Sequence, residues 1–177
     1  MFINANSLES NSSMKNNNTH INDTPYQKYK INEITYTIIL NGDYSDGKYS
    51  IIEVLFPPEK EKEIPLHKHA FEDVLIYVIE GSFLIHYKNE LINGHKGMVL
   101  KLEKNIEHSY KKIGHEIGKL LITYTPAGVE NYFRDLDLLS SHTSSLSIAD
   151  NLQILNKEDD RIILHNLEKN YGWTFIK

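Results

Sequence analysis

The sequence predicts an antiparallel β-sandwich or small β-barrel followed by a helical C-terminal cover. Three observations carry that reading. Short β-branched and aromatic runs follow one another from Tyr26 to Pro126, and Gly, Pro or Asn bounds each run. No helical period interrupts them, which disfavours alternating βαβ units. After Pro126 the apolar spacing changes to that of helices.

The strands come in order. ITYTIIL (Ile34 to Leu40) and YSIIEVLF (Tyr49 to Phe56) flank the turn-forming NGDYSDG. VLIYVIEG, FLIHYKN, GMVLKLEKN and KLLITYTP follow. From Val74 to Ile79 both alternating faces are apolar. One face can fill a barrel, and the other calls for a second sheet or another subunit. A homodimer is the expectation, with the strands near Tyr26 to Leu40 available to pair or exchange across its interface.

The flanks differ from this middle. Residues 1–25 are rich in Asn and Ser and poor in large apolar groups, so a flexible tail is expected. Residues 127–177 are expected to be helical. VENYFRDLDLL places Tyr132, Phe133, Leu136 and Leu139 on one stripe. KEDDRIILHNLEKNYG has Asn156 as cap, Ile163, Leu164, Leu167 and Tyr171 as stripe, and Gly172 as stop.

Composition removes several function classes. The 177 residues include no cysteine, so disulfides, thiolate ligands and a cysteine nucleophile are excluded. A formal net charge of -5 gives no electrostatic reason to expect nucleic acid or an anionic membrane as partner. No apolar run approaches the roughly 20 residues that span a bilayer. The N-terminus lacks the apolar core of a secretory signal, and a soluble cytoplasmic protein is expected. There is no phosphate-binding Gly-rich loop and no GxSxG elbow.

Chemistry concentrates in PLHKHAFEDVLIYVIEG, Pro65 to Gly81. Residues two apart on a strand share a face, so His67 and His69 can aim at one point. Pro65 favours an extended segment at their head, and imidazole nitrogen suits divalent transition metals. His108, in GMVLKLEKNIEHSY, follows a strand and a turn at Asn105, and a neighbouring strand can bring it across. Three neutral imidazoles make a complete protein ligand set for an open site holding one divalent ion, with Fe, Ni, Mn and Zn all chemically suitable. Tyr110, two residues after His108, shares its face and reads as a core aromatic or a substrate contact. His20, His95, His115, His142 and His165 read as solvated side chains, and His86 as either an inward polar group or an exposed strand residue.

These two segments resemble the paired motifs of the cupin superfamily. The first motif runs HxH, four residues, Glu, six residues, Gly; the second runs Gly, five residues, Pro-x-Gly, two residues, His. His67, His69, Gly81, Gly97 and His108 match it. The resemblance spans roughly Ile51 to Arg134 and implies a single cupin barrel (a double-stranded β-helix or jelly roll). TPAGVENYFRDL and the closing YGWTF are similar to segments of small quercetin-dioxygenase-like cupins. That likeness implies a dioxygenase-like enzyme acting on a small organic molecule at an ion held by His67, His69 and His108. A Lewis-acid hydrolase, cyclase or isomerase, or a non-catalytic small-ligand sensor, remains open at this stage.

Two departures from the motifs bear on function. Val74 occupies the glutamate position, and Glu103 and Asn105 replace the Pro and Gly of the second motif. Asn tolerates the left-handed turn that Gly supplies. Regular alternation turns Asp73 away from the histidines and makes Val74 an apolar wall. A local bulge would instead bring Asp73 or Glu72 in as a substitute carboxylate.

Overall fold

The computed structural model describes residues 26–142 and 165–176. The tail at 1–25 and the cap and stripe residues Asn156, Ile163 and Leu164 lie outside the described residues. Among the described residues, eleven strands form two antiparallel sheets. The first has six strands, β1 (Lys28–Ile31), β2 (Ile34–Leu40), β3 (Ser50–Phe56), β10 (Gly118–Thr125), β5 (Asp73–Glu80) and β8 (Val99–Leu102), adjacent in that order. The second has five, β11 (Trp173–Phe175), β4 (Lys62–His69), β9 (His108–Ile113), β6 (Ser82–Tyr87) and β7 (Glu90–His95).

Alternation places the core between the sheets. Along β3, Ile52, Val54 and Phe56 are buried, and along β5 Val74, Ile76 and Val78 are buried. β6 adds Phe83 and Ile85, and β10 adds Leu120 and Ile122. Each fully buried side chain of this size contributes roughly 1.5–3 kcal/mol relative to an exposed one. Gly118 lets the sheets close, since a Cβ there would meet Lys112 Cγ at 2.8 Å and Phe83 Cζ at 2.9 Å.

β10 leads through Pro126 and Gly128 into helix α1 (Val129–His142). The Glu130 carboxylate accepts from the Gly128 N–H at 2.9 Å and from the Gly42 N–H at 2.7 Å, tying the helix start to the loop after β2. Tyr132 and Phe133 of α1 are buried on the barrel, with the Phe133 and Tyr36 rings stacked at 4.5 Å.

The C-terminal segment differs from its all-helical expectation. Residues 165–170 are helical, and Gly172 ends that helix at a φ of 67°. The chain then becomes β11 and pairs with the exposed edge of β4, Trp173 opposite His69 and Phe175 opposite His67. The reason is a free edge: β4 has β9 on one side and unpaired backbone groups on the other, which an extended segment satisfies.

The apolar outer face of β5 is uncovered within one chain. Leu75 and Tyr77 are 43% and 41% exposed, and Val99, opposite Tyr77 on β8, is 58% exposed.

Candidate metal centre

β4 and β9 build the site. His67 and His69 project inward from β4 at a spacing of two, and His108 opens β9 directly opposite His67. Each histidine is only 2% exposed. Their ring centroids lie 4.4 to 5.3 Å apart, and one ligand atom from each falls within 4.8 Å of the others. Among the described residues, this is the group of metal-ligating side chains that converges.

Backbone carbonyls settle two tautomers. His67 Nδ1 lies 2.7 Å from the Pro65 carbonyl oxygen, and His108 Nδ1 lies 2.9 Å from that of Ile106. A carbonyl only accepts, so both Nδ1 atoms carry the proton and both Nε2 atoms are left as donors to an ion. Burial lowers the pKa of all three histidines; mutual repulsion lowers His67 further, and His69 falls to about 3. They are therefore neutral near pH 7, the form a metal requires.

The remaining walls are aromatic. Tyr110 and Tyr124 are buried, and burial raises both phenols so that they stay neutral. Trp173 sits edge-on to His69 at 4.6 Å, and Phe175 stacks on His67 at 5.5 Å. Tyr132 from α1 stacks on Trp173 at 4.3 Å. A cavity of about 50 Å³ reaches His67 between these rings; among the described residues Glu63 lines it and no Lys or Arg does.

The sequence-level candidates separate cleanly. His67, His69 and His108 meet, and Tyr110 lines the cavity beside them. Asp73 does not: its carboxylate accepts from the Lys104 N–H at 2.9 Å and pairs with Lys101 at 3.3 Å, outside the barrel. Val74 faces inward at 3% exposure, opposite Tyr124 and Leu102. His95, His115 and His165 are exposed, whereas His86 is half-buried with an unpaired Nδ1.

Sequence reasoning missed the weight of Glu72. It lies between β4 and β5, 4% exposed, with Oε2 3.5 Å from His69 Nδ1. Neither atom has a hydrogen-bond partner. Burial raises this carboxyl to about 7. The contribution of Trp173 and Phe175 was also missed, because three residues after a helical stripe give no strand period.

The donor set fits a divalent ion: three buried, neutral imidazoles, two with Nδ1 already committed. The barrel around it is known from other proteins. Residues 53–124 match the family described as Cupin domain. No curated relative matches the chain. KdgF from a Halomonas species superposes with a TM-score of 0.52 at 17% identity, covering 63% of this chain and 96% of that one. A predicted oxalate decarboxylase from Thermotoga maritima gives 0.52 at 16% identity, covering 59% and 94%. An RmlC-like cupin from Shewanella frigidimarina gives 0.51 at 18% identity, covering 60% and 88%. At such identities the likeness concerns the fold. Residues 53–124 thus match a cupin domain, and the fold is a cupin β-barrel with a C-terminal helix.

Proposed function

We propose that the protein is a metal-dependent enzyme that acts on a small, uncharged organic molecule, with dioxygenase chemistry as its reaction class. The observation that carries this reading is the convergence of His67, His69 and His108 at an aromatic-walled cavity. A divalent ion there, held by three neutral ligands, would supply a strongly positive centre that polarises an oxygen-bearing substrate and gives access to oxygen chemistry. His67 and His108 present fixed Nε2 donors. Trp173, Phe175 and Tyr132 exclude water, and the rings of Tyr110 and Tyr124 offer flat apolar walls. The lack of a Lys or Arg lining speaks against a phosphorylated substrate.

In the proposed reaction both atoms of dioxygen enter one electron-rich organic molecule, so no external reductant is needed. The test is metal analysis of freshly purified protein, then oxygen consumption with Fe(II), Mn(II) or Ni(II) and a panel of small phenols and enols. Oxygen uptake that needs metal and disappears in His69→Ala supports the reading. Turnover without oxygen would replace it with Lewis-acid chemistry. A protein that takes up no metal would leave a ligand-binding barrel.

We also propose that two copies associate through the outer face bearing Leu75, Tyr77 and Val99, an apolar surface of a kind monomers seldom leave bare. Sedimentation at micromolar concentration should give a dimer mass, and Tyr77→Glu should give a monomer. A monomeric wild type removes the idea.

A further inference from the structure

His69 is the one ligand whose Nδ1 lacks a backbone carbonyl. His67 and His108 each meet the carbonyl two residues upstream, at 2.7 and 2.9 Å. The corresponding atom of His69 has no hydrogen bond, and Glu72 Oε2, 3.5 Å away, has none either. Both side chains are buried, at 2% and 4% exposure. Two buried polar atoms without partners are each costly, and each is the chemical complement of the other.

The segment carrying Glu72 is clamped on both sides. The Asn105 N–H donates to the His69 carbonyl at 2.7 Å, and the Ala70 N–H donates to the Gly172 carbonyl at 2.8 Å. Gly172 is so close that a Cβ there would lie 2.7 Å from the Phe71 ring and 3.0 Å from the Ala70 Cβ. The carboxylate is thus held in place by the C-terminal segment and by the loop that precedes His108.

We propose that Glu72 is the positioning residue of the metal centre: its carboxylate accepts the Nδ1 proton of His69, fixes that tautomer and leaves Nε2 for the ion. This rests on the three-histidine reading. Glu72 is not among the side chains whose ligand atoms converge, so it stands behind His69 and acts through it. A histidine backed by a carboxylate is both better oriented and a stronger donor, and such partners typically control metal affinity by about 10–100-fold.

The test uses the full chain with Glu72→Leu and Glu72→Gln, and two readouts. In metal-free protein, ¹⁵N shifts of the His69 ring should show the Nδ1–H tautomer in wild type and in Glu72→Gln, whose amide oxygen still accepts. Glu72→Leu should lose that preference. Zn(II) titration should then show a roughly 10–100-fold loss in Glu72→Leu and a much smaller one in Glu72→Gln. If Glu72→Leu does not fold, Glu72→Asp serves, because it keeps the charge but withdraws it by one methylene; the same loss is expected. An unchanged tautomer and unchanged affinity in Glu72→Leu would overturn the proposal. So would a loss in Glu72→Gln as complete as in His69→Ala, which would make Glu72 itself a ligand. If wild type binds no zinc, the metal reading fails, while the metal-free ring shifts still decide the pairing.

Discussion

Strand β9 carries two buried polar groups on one face, His108 at its start and Lys112 near its end, and their surroundings differ in kind. Lys112 is fully buried, and its ammonium donates to the Lys60 carbonyl at 3.1 Å and the Gly114 carbonyl at 2.7 Å. Its neighbours close around it, to the point that Gly118 has no room for a Cβ. At the other end three imidazoles crowd together, and two polar atoms, His69 Nδ1 and Glu72 Oε2, have no partner. Polar burial that only stabilises a fold completes its hydrogen bonds within the chain. At the open end His67 and His108 each commit Nδ1 to a backbone carbonyl and keep Nε2 uncommitted, which is what the proposed metal site uses.

The largest expected effect tests that contrast directly. His67→Ala should weaken Zn(II) binding beyond the ~100-fold that outer-shell partners command, measured by calorimetry. It should also lower the urea stability of the metal-free protein by about 1–3 kcal/mol, because the Pro65 carbonyl loses its partner. Unchanged zinc affinity would show that the open end is not a metal site.

Next comes the closed end. Lys112→Met should lower unfolding stability by about 1–3 kcal/mol for each carbonyl left unpaired, read from urea titration. Zinc affinity should stay within twofold. A large change in affinity would mean that the two ends are coupled through β9.

A smaller effect is the pH dependence of the metal-free protein. All three histidines have lowered folded-state values, from burial first, so the unfolded chain binds their protons more readily. Their contribution is complete above the ordinary histidine value near 6.5 and is lost as pH falls from there toward about 3, where His69 titrates. Glu72, raised to about 7 by burial, works in the opposite sense, because the folded state holds its proton as pH climbs above 4.5. With three groups against one, thermal midpoints should fall on acidification below pH 6.5. The fall should steepen in Glu72→Gln. A midpoint flat from pH 7 to 5 would contradict the burial of the histidines.

The smallest effect belongs to Asp73→Asn. Its carboxylate is engaged by the Lys104 N–H and by Lys101 on the outer surface, so zinc affinity should not change. Stability should shift by less than about 1 kcal/mol, as expected for an exposed ion pair. A clear loss of zinc would mean that β5 faces the other way.

The fold and the convergence of the histidines were legible in the sequence wherever strand alternation governs. The period of two gave His67 and His69 a common face, turned Asp73 outward and Val74 inward, and the structure has all four so placed. What alternation does not govern was harder to read. Glu72 sits between two strands, where no period assigns it a direction. β7 is ELINGH, whose Asn-Gly pair reads as a turn. β11 has three residues directly after a helical turn, and its strand character comes from the edge of β4, about a hundred residues earlier in the chain. The outer face of β5 was read as apolar, and Leu75 and Tyr77 are exposed on it.

The strand laid over the histidines also carries the only tryptophan of the 177 residues. Trp173 lies 4.6 Å from the His69 ring and 5.6 Å from that of His67. Indole emission is quenched by a protonated imidazole in contact and by a nearby paramagnetic ion, and it collects excitation from neighbouring phenols. The unlabelled protein therefore holds a single fluorophore at its candidate centre, with Tyr132 stacked on it at 4.3 Å as an antenna. The indole emission of this chain comes from a side chain stacked on the aromatic wall of the site. Occupancy and protonation of the histidines can thus be followed optically in the native protein without a label.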